Sequence, residues 1–205
     1  MYNPRLVGIL AFDEVEVLDF AGPYEVFNVA AHTASPSPFT VFSLGIGEKP
    51  ILARGQLSMT PRYSIETCPQ PDILVVPGGF GTRALLKHDK LIGWIAAQAE
   101  RVELLLSVCT GALLLAKAGL LDGLPATTHH TAFDHLAHLS PTTKIRTDER
   151  LVQSSARIFT SGGISAGIDL ALHVVTRLCG EDLAASVREE MEYGERWRTA
   201  GASGR

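Results

Sequence analysis

The stretch Leu104–Leu121, LLLSVCTGALLLAKAGLL, constrains this chain more than any other. It is apolar enough for a membrane span and sits at about the minimum length for one. Gly111 and Lys117 interrupt it, and it divides into two periods. Val102–Val108 is a run rich in Leu and Val, the composition of a strand buried on both faces. Thr110–Ala118 carries apolar residues at helical spacing, with Gly119 placed to stop the helix. Cys109 falls at the junction, flanked by the small residues Ser107 and Gly111, as a sharp strand-to-helix turn requires. Such an elbow holds a thiol at a strand's carboxyl end and a helix N-terminus, where unpaired N–H groups favour an anion. The expectation is a thiol whose pKa is lowered toward neutrality, serving as a nucleophile. The plainer alternative is a structural cysteine, because free Cys is among the most buried residue types.

The rest of the chain alternates strand and helix. Arg5–Phe12 reads as a first strand and Leu18–Ala31 as a helix with Pro23 in its first turn. His32–Pro38 is a polar break and Phe39–Leu44 a second strand. Gly45, Gly47, Pro50, Gly55 and Pro61 punctuate the next stretch, which predicts short strands or a hairpin. Ile73–Val76 is a buried strand ending in Pro77-Gly78-Gly79, and Leu91–Arg101 an amphipathic helix. After the elbow come a strand at Ala126–His129 and a helix at Thr131–Leu139 with Thr131 as N-cap. Short strands follow at Lys144–Thr147, Leu151–Ser154 and Ile158–Ser161, then helices at Ala166–Cys179 and Leu183–Gly194. This alternation predicts an α/β fold: a three-layer, flavodoxin-like sandwich with a mostly parallel sheet and helices on both faces. Residues 1–195 read as a single domain and 196–205 as a frayed tail.

In such a sheet the strand ends converge on one crevice. Asp19, set in the apolar patch VLDFAGP, is the preferred acid–base partner for the thiol. Its alternative is a helix N-cap. Gly78 and Gly79 bring backbone N–H groups close to a ligand and, with the Thr110 amide, could form an oxyanion hole. Later strands deliver His129 and His130, and Ser161-Gly162-Gly163, to the same crevice. His129, His130, His135 and His138 fall close together, but their spacing fits no zinc pattern and no CxxC accompanies them. No metal and no cofactor is expected.

Charge narrows the partners. With 18 basic and 22 acidic residues the net charge is −4, and no basic stripe is visible, which argues against nucleic acid. Three widely spaced Cys argue against a disulfide framework and for a reducing, cytoplasmic compartment. The N-terminus runs straight into a strand and carries no pattern of a signal peptide. A small-molecule substrate, with neither nucleic acid nor membrane as partner, is the expectation.

Five motifs in order, VLDFAGP (17–23), VPGGFG (76–81), SVCTGALLLAKAGLLDG (107–123), ATTHH (126–130) and TSGGISAGIDLALHVV (160–175), resemble the ThiJ/PfpI superfamily. That superfamily has a class I glutamine-amidotransferase-like fold, and the resemblance runs nearly the length of the chain. The Cys-Thr-Gly elbow and the Asp before Ala-Gly-Pro look most like the isocyanide hydratase branch. The same motifs occur in the amidase-like N-terminal domains of AraC-type regulators, which continue into a helix-turn-helix region. The present sequence stops at Arg205, so the expectation is an enzyme rather than such a regulator.

The resemblance implies that Cys109 is the nucleophile and that Asp19 is the acid beside it. It implies that Gly79 and Thr110 offer backbone N–H groups to an anion, and that the protein is a homodimer. Two departures stand out. Thr110 occupies the place where the protease-like branch has His, which weighs against proteolysis and glutamine hydrolysis. His130 stands where many hydratase-like sequences resemble Thr-Thr-His-Trp. The implied activity is a lyase reaction: a thiolate attacks an isocyanide carbon, a thioimidate forms, and hydrolysis releases an N-substituted formamide. Glyoxalase-like or amidase-like hydrolysis, or redox or ligand sensing without catalysis, are the alternatives.

Overall fold

Seven short runs of mainly aliphatic residues pair into one sheet. The computed structural model describes residues 3–194, so the fraying expected for 196–205 lies outside the described residues. The strands are β1 (Arg5–Ala11), β2 (Phe39–Gly45), β3 (Tyr63–Ser64), β4 (Ile73–Val76), β5 (Leu104–Val108), β6 (Leu151–Gln153) and β7 (Ile158–Ser161). Their order across the sheet is β6-β7-β5-β4-β1-β2-β3. All neighbours run parallel except β6, which pairs antiparallel with β7.

Side chains alternate between the two faces with the period of a pleated strand. Ile73 and Val75 of β4, with Leu104, Leu106 and Val108 of β5, join one buried cluster, whereas Leu74, Val76 and Leu105 join the other. The first cluster is covered by α1 (Val17–Thr33), α5 (Ala166–Cys179) and α6 (Glu181–Glu190). The second is covered by α2 (Asp89–Ala99), α3 (Gly111–Lys117) and α4 (Phe133–Leu139). The result is the three-layer α/β sandwich that strand–helix alternation predicts. Among the described residues no helix is long and apolar enough to cross a membrane, because the apolar stretch 104–121 is divided between β5 and α3.

The chain runs from β1 outward through β2 and β3, then returns to place β4 on the other side of β1. That reversal opens a crevice at the carboxyl ends of β1 and β4, where ligands gather in sheets of this kind. The elbow after β5 lies next to it.

Three expectations need correction. The strand predicted at Ala126–His129 is only Pro125–Ala126, paired with Lys144–Ile145 in a separate ladder. Past Ala126 the Thr127 N–H donates to the Thr160 side chain (2.9 Å) instead of a strand. Thr131 is not a helix N-cap. The His129 ring accepts from the Thr131 N–H (3.3 Å), and one 3-10 turn, His130–Ala132, precedes α4. Pro23 lies inside α1 rather than in its first turn, and its missing N–H deprives the Asp19 carbonyl of the usual intrahelical donor. The punctuated stretch after β2 forms a hairpin, Ile51–Leu52 with Ser58–Met59, followed by β3.

Packing at the elbow leaves no room at Gly111: a Cβ there would lie 2.1 Å from the Val76 carbonyl oxygen. Gly111→Ala should therefore force α3 away from β4 and destabilise the protein by about 1–3 kcal/mol. Urea unfolding checks this as a lower midpoint at unchanged slope.

Candidate active site

The backbone of Cys109 has φ = 57°, a left-handed conformation rare for a residue with a side chain. Three hydrogen bonds hold it there. The Cys109 N–H is shared between the carbonyls of Ser161 and Gly162 (both 3.1 Å), at the end of β7. The Cys109 carbonyl accepts from the Thr128 hydroxyl (2.8 Å). Gly163 closes over the thiol so tightly that a Cβ would stand 2.7 Å from Sγ and 2.6 Å from the His129 ring. Gly163 packs against the thiol, the Gly162 carbonyl accepts from the Cys109 N–H, and neither residue lines the open cleft.

Asp19 is fully buried in the first turn of α1. It is not the N-cap: Glu16 holds that position, without a capping side-chain bond. Asp19 Oδ2 accepts from the Gly78 N–H (3.2 Å), and Oδ1 has no partner among the described residues. Burial pushes this carboxyl up to about 7, and the charge of Glu16 adds to the rise. Its contact with the Cys109 thiol and the Gly78 N–H pull the other way.

The thiol departs from expectation. Burial pushes Cys109 up rather than down, and the negative charge of Asp19 reinforces the effect. The Thr110 N–H favours the thiolate but does not outweigh desolvation. Cys109 and Asp19 therefore act as a coupled pair, each resisting ionisation while the other is charged.

The two glycines after β4 also differ from expectation. The Gly78 N–H is engaged by Asp19 and the Gly79 N–H by Thr110 Oγ1 (2.9 Å), so neither amide is open to an anion. Gly79 itself has φ = 134°, and a Cβ there would lie 2.3 Å from the Glu14 carbonyl oxygen. Thr110 is therefore a scaffold as well as an amide donor. Its hydroxyl bridges Gly79 and Thr82 (3.2 Å) behind the cleft.

The cleft above the thiol encloses about 240 Å³. Cys109, Thr110, Gly79 and His129 line it, together with Glu16, Arg54, Phe80, Arg83, Thr131 and Ile164. Arg54 arrives from the hairpin after β2, whose backbone is stitched to the β1–α1 loop through Leu52 and Arg54 (2.8–2.9 Å). Arg83 and Phe80 come from the turn after β4. None of these three was legible as a site residue. Glu16 comes from the turn that leads into α1, as its N-cap residue. His130 lies outside the cleft lining and packs on His129, ring centroids 4.3 Å apart. His129 is held by the Thr131 hydroxyl (2.9 Å) and is shifted below the usual imidazole range by burial and by neighbouring cations. Among the described residues no three His, Cys, Asp or Glu side chains gather as a metal-binding group.

Comparison with known proteins puts this geometry in context. The sequence profile of the DJ-1/PfpI family matches residues 5–177. An isonitrile hydratase of Pseudomonas putida is 37% identical over 187 residues, spanning 91% of this chain and 78% of that protein. The HTH-type transcriptional regulator GbdR of Pseudomonas aeruginosa is 28% identical over 191 residues, 93% of this chain. The chain spans about half (51%) of that regulator's length. A ThiJ/PfpI family protein from Pseudomonas syringae has a crystal structure that superposes with a TM-score of 0.84 at 27% identity, covering 94% of this chain and 76% of that one. DJ-1beta of Drosophila melanogaster superposes at 0.82 with 18% identity, 94% of this chain and all of the other, a likeness of fold alone.

The Asp19 environment generates a pH signature. A carboxyl raised from 3.8 to about 7 in the folded protein holds its proton more tightly than the unfolded chain does. Stability from this group is present at low pH and is lost as pH rises through that window, by about 4 kcal/mol in all. Asp19→Asn cannot titrate. Its unfolding free energy should rise relative to wild type between about pH 4 and pH 8, and urea titrations at the two ends read the difference. A difference that does not change with pH would remove the perturbed carboxyl.

Proposed function

The chain belongs to the DJ-1/PfpI family, and from that footing we propose that it is a cysteine-dependent hydratase adding water to a small isocyanide to give an N-substituted formamide. One observation carries the reading: a buried carboxyl, Asp19, contacts the Cys109 thiol, while the nearby His129 is tied to Thr131. The identity with the P. putida isonitrile hydratase supports it.

An isocyanide carbon must accept both a nucleophile and a proton. The Cys109–Asp19 pair suits that demand. As sulfur bonds to the carbon, Asp19 takes the thiol proton and returns it to the same carbon, so that S–H adds across one atom and a thioimidate forms. Free thiolate need not accumulate, which is compatible with a thiol raised by burial. Water then adds to the thioimidate carbon while a proton passes to nitrogen. The C–S bond breaks, the thiol regains its proton from the hydroxyl by way of Asp19, and the formamide leaves. The atoms sum to isocyanide plus water, with no oxidant and no cofactor. Thr110 N–H faces the sulfur and steadies charge on it through the step. Phe80 and Ile164, both exposed at the cleft, offer an apolar surface to the substituent.

The same reading takes the protein as a cytoplasmic homodimer. Free thiols at Cys68 and Cys179 are compatible with a reducing compartment, and exposed Leu52 and Leu57 with a covered surface.

Incubation with phenyl isocyanide, following formamide, tests the proposal. Cys109→Ala should abolish turnover with an unchanged circular dichroism spectrum, and Asp19→Asn should lower kcat about 10²–10⁴-fold. Turnover by Cys109→Ala at the wild-type rate would sink the mechanism. No formamide from wild type, with Cys109 still open to alkylation, would replace the hydratase with an amide- or carbonyl-directed thiol enzyme or a sensor.

A further inference from the structure

The reaction above uses the floor of the cleft and leaves its cations without a role. Arg54 and Arg83 flank the exposed Phe80 ring, their guanidinium carbons 4.5 and 5.5 Å from its centroid. Arg54 Nη1 is matched by the Glu16 carboxylate at 2.9 Å. Arg83 differs. Its Nη1 donates to the Gly79 carbonyl (3.1 Å) and reaches Thr82 Oγ1 (3.5 Å), which anchors the group beside the cleft. Among the described residues no carboxylate pairs with Arg83, and its Nε and Nη2 have no acceptor. The cleft lining therefore carries two guanidiniums against one carboxylate, that of Glu16, on a chain whose net charge is −4. The surplus is local and sits where a substrate's far end would rest.

A planar, anchored guanidinium with two donors unengaged matches one ligand chemistry above others, a carboxylate bound side-on. We propose that the substrate taken by this cleft carries a carboxylate, bound by Arg83 with Arg54 and the Phe80 ring beside it, while its reacting carbon faces Cys109. The proposal deepens the hydratase reading by making the substrate an isocyano carboxylic acid. Its anion selectivity stands apart from the identity of the reacting group. Arg83 is a specificity residue here, removed from the bonds that form and break.

Two measurements separate the two ideas. The first compares kcat/KM for 4-isocyanobenzoate with that for its methyl ester, in wild type, Arg83→Gln and Arg101→Gln. Arg101 lies outside the cleft lining and is exposed, so its variant controls for net charge. Wild type should favour the acid over the ester by about tenfold or more, the scale of one charged hydrogen bond. Arg83→Gln should erase most of that preference, and Arg101→Gln should keep it. The second measures alkylation of Cys109 by iodoacetate against iodoacetamide, read by mass spectrometry. The anionic reagent should gain relative to the neutral one in wild type, and lose that gain in Arg83→Gln and at high salt. An Arg83-dependent iodoacetate bias without turnover of either isocyanide would uphold the anion site and reject the hydratase. Equal turnover of acid and ester, with no iodoacetate bias, would overturn the anion site and leave the hydratase standing.

Discussion

The desolvation of Asp19 beside a thiol is the constraint to which the rest of the site answers. A carboxylate removed from water is costly unless it is paired with a cation or neutralised. Among the described residues no cation pairs with it. One backbone N–H reaches Oδ2, Oδ1 has no partner among the described residues, and Glu16 adds a second negative charge nearby. The chemistry available is therefore that of a shared proton. Burial raises the carboxyl toward neutrality and holds the proton on the thiol as well, so both members of the pair resist ionisation. An elbow at a helix N-terminus lowers a thiol's pKa only where desolvation does not outweigh it. A one- or two-donor contribution from backbone N–H groups is smaller than the cost of burying the sulfur's charge next to another anion.

That pair persists because its backbone is over-determined. A non-glycine residue at φ = 57° costs on the order of 1–3 kcal/mol. The hydrogen bonds that hold it arrive from separate stretches of chain: the end of β7, which takes the Cys109 N–H, and the segment before His129, which supplies Thr128 to its carbonyl. Close approach does the rest. Gly78 lets Asp19 and Thr110 meet over its backbone, since a Cβ would lie 2.5 Å from the Thr110 nitrogen and 2.9 Å from Asp19 Oδ2. Gly111 admits α3 against β4, and Gly163 admits the thiol. The glycines that sequence patterns present as flexible turns act here as clearances between rigid parts.

This division explains what could be read from the sequence and what could not. β4 at Ile73–Val76, β7 at Ile158–Ser161 and α5 at Ala166–Cys179 appear with the bounds their apolar periods predict. Burial on both faces, or along one helical stripe, writes itself into local composition. Cys109 and Asp19 were legible for a related reason: each is a reactive group set in an apolar run, and such exceptions stand out. The two-residue ladder Pro125–Ala126 was overextended because Thr-Thr-His has strand-like composition, while the Thr127 N–H turns to a side-chain partner 33 positions away. Arg54 and Arg83 were invisible. Arg54 reaches the cleft through a hairpin whose backbone bonds to the β1–α1 loop, and Arg83 sits on a single helical turn, Thr82–Leu85, too short for any period. The fate of the Gly79 amide was equally hidden, because it depends on which way the Thr110 hydroxyl points.

The floor and the mouth of the cleft therefore have different standing. The floor is backbone geometry: an elbow, three glycine clearances and a buried acid, all dictated by how β1, β4, β5 and β7 meet. A regulator and a hydratase both match this chain over more than nine-tenths of its length. So overall likeness in sequence is shared by a catalyst and by a protein named for transcriptional control, and cannot by itself choose between them. What distinguishes one ligand from another must come from the side chains that the unpaired segments bring to the rim. Here those are Arg54, Phe80 and Arg83, a flat ring between two guanidiniums, one of them without a carboxylate partner among the described residues. Under the proposed substrate assignment, the cationic rim draws the charged end of a substrate outward and leaves its uncharged reactive end against the thiol. On that assignment the rim orients the substrate without placing a competing charge beside the Cys109–Asp19 pair.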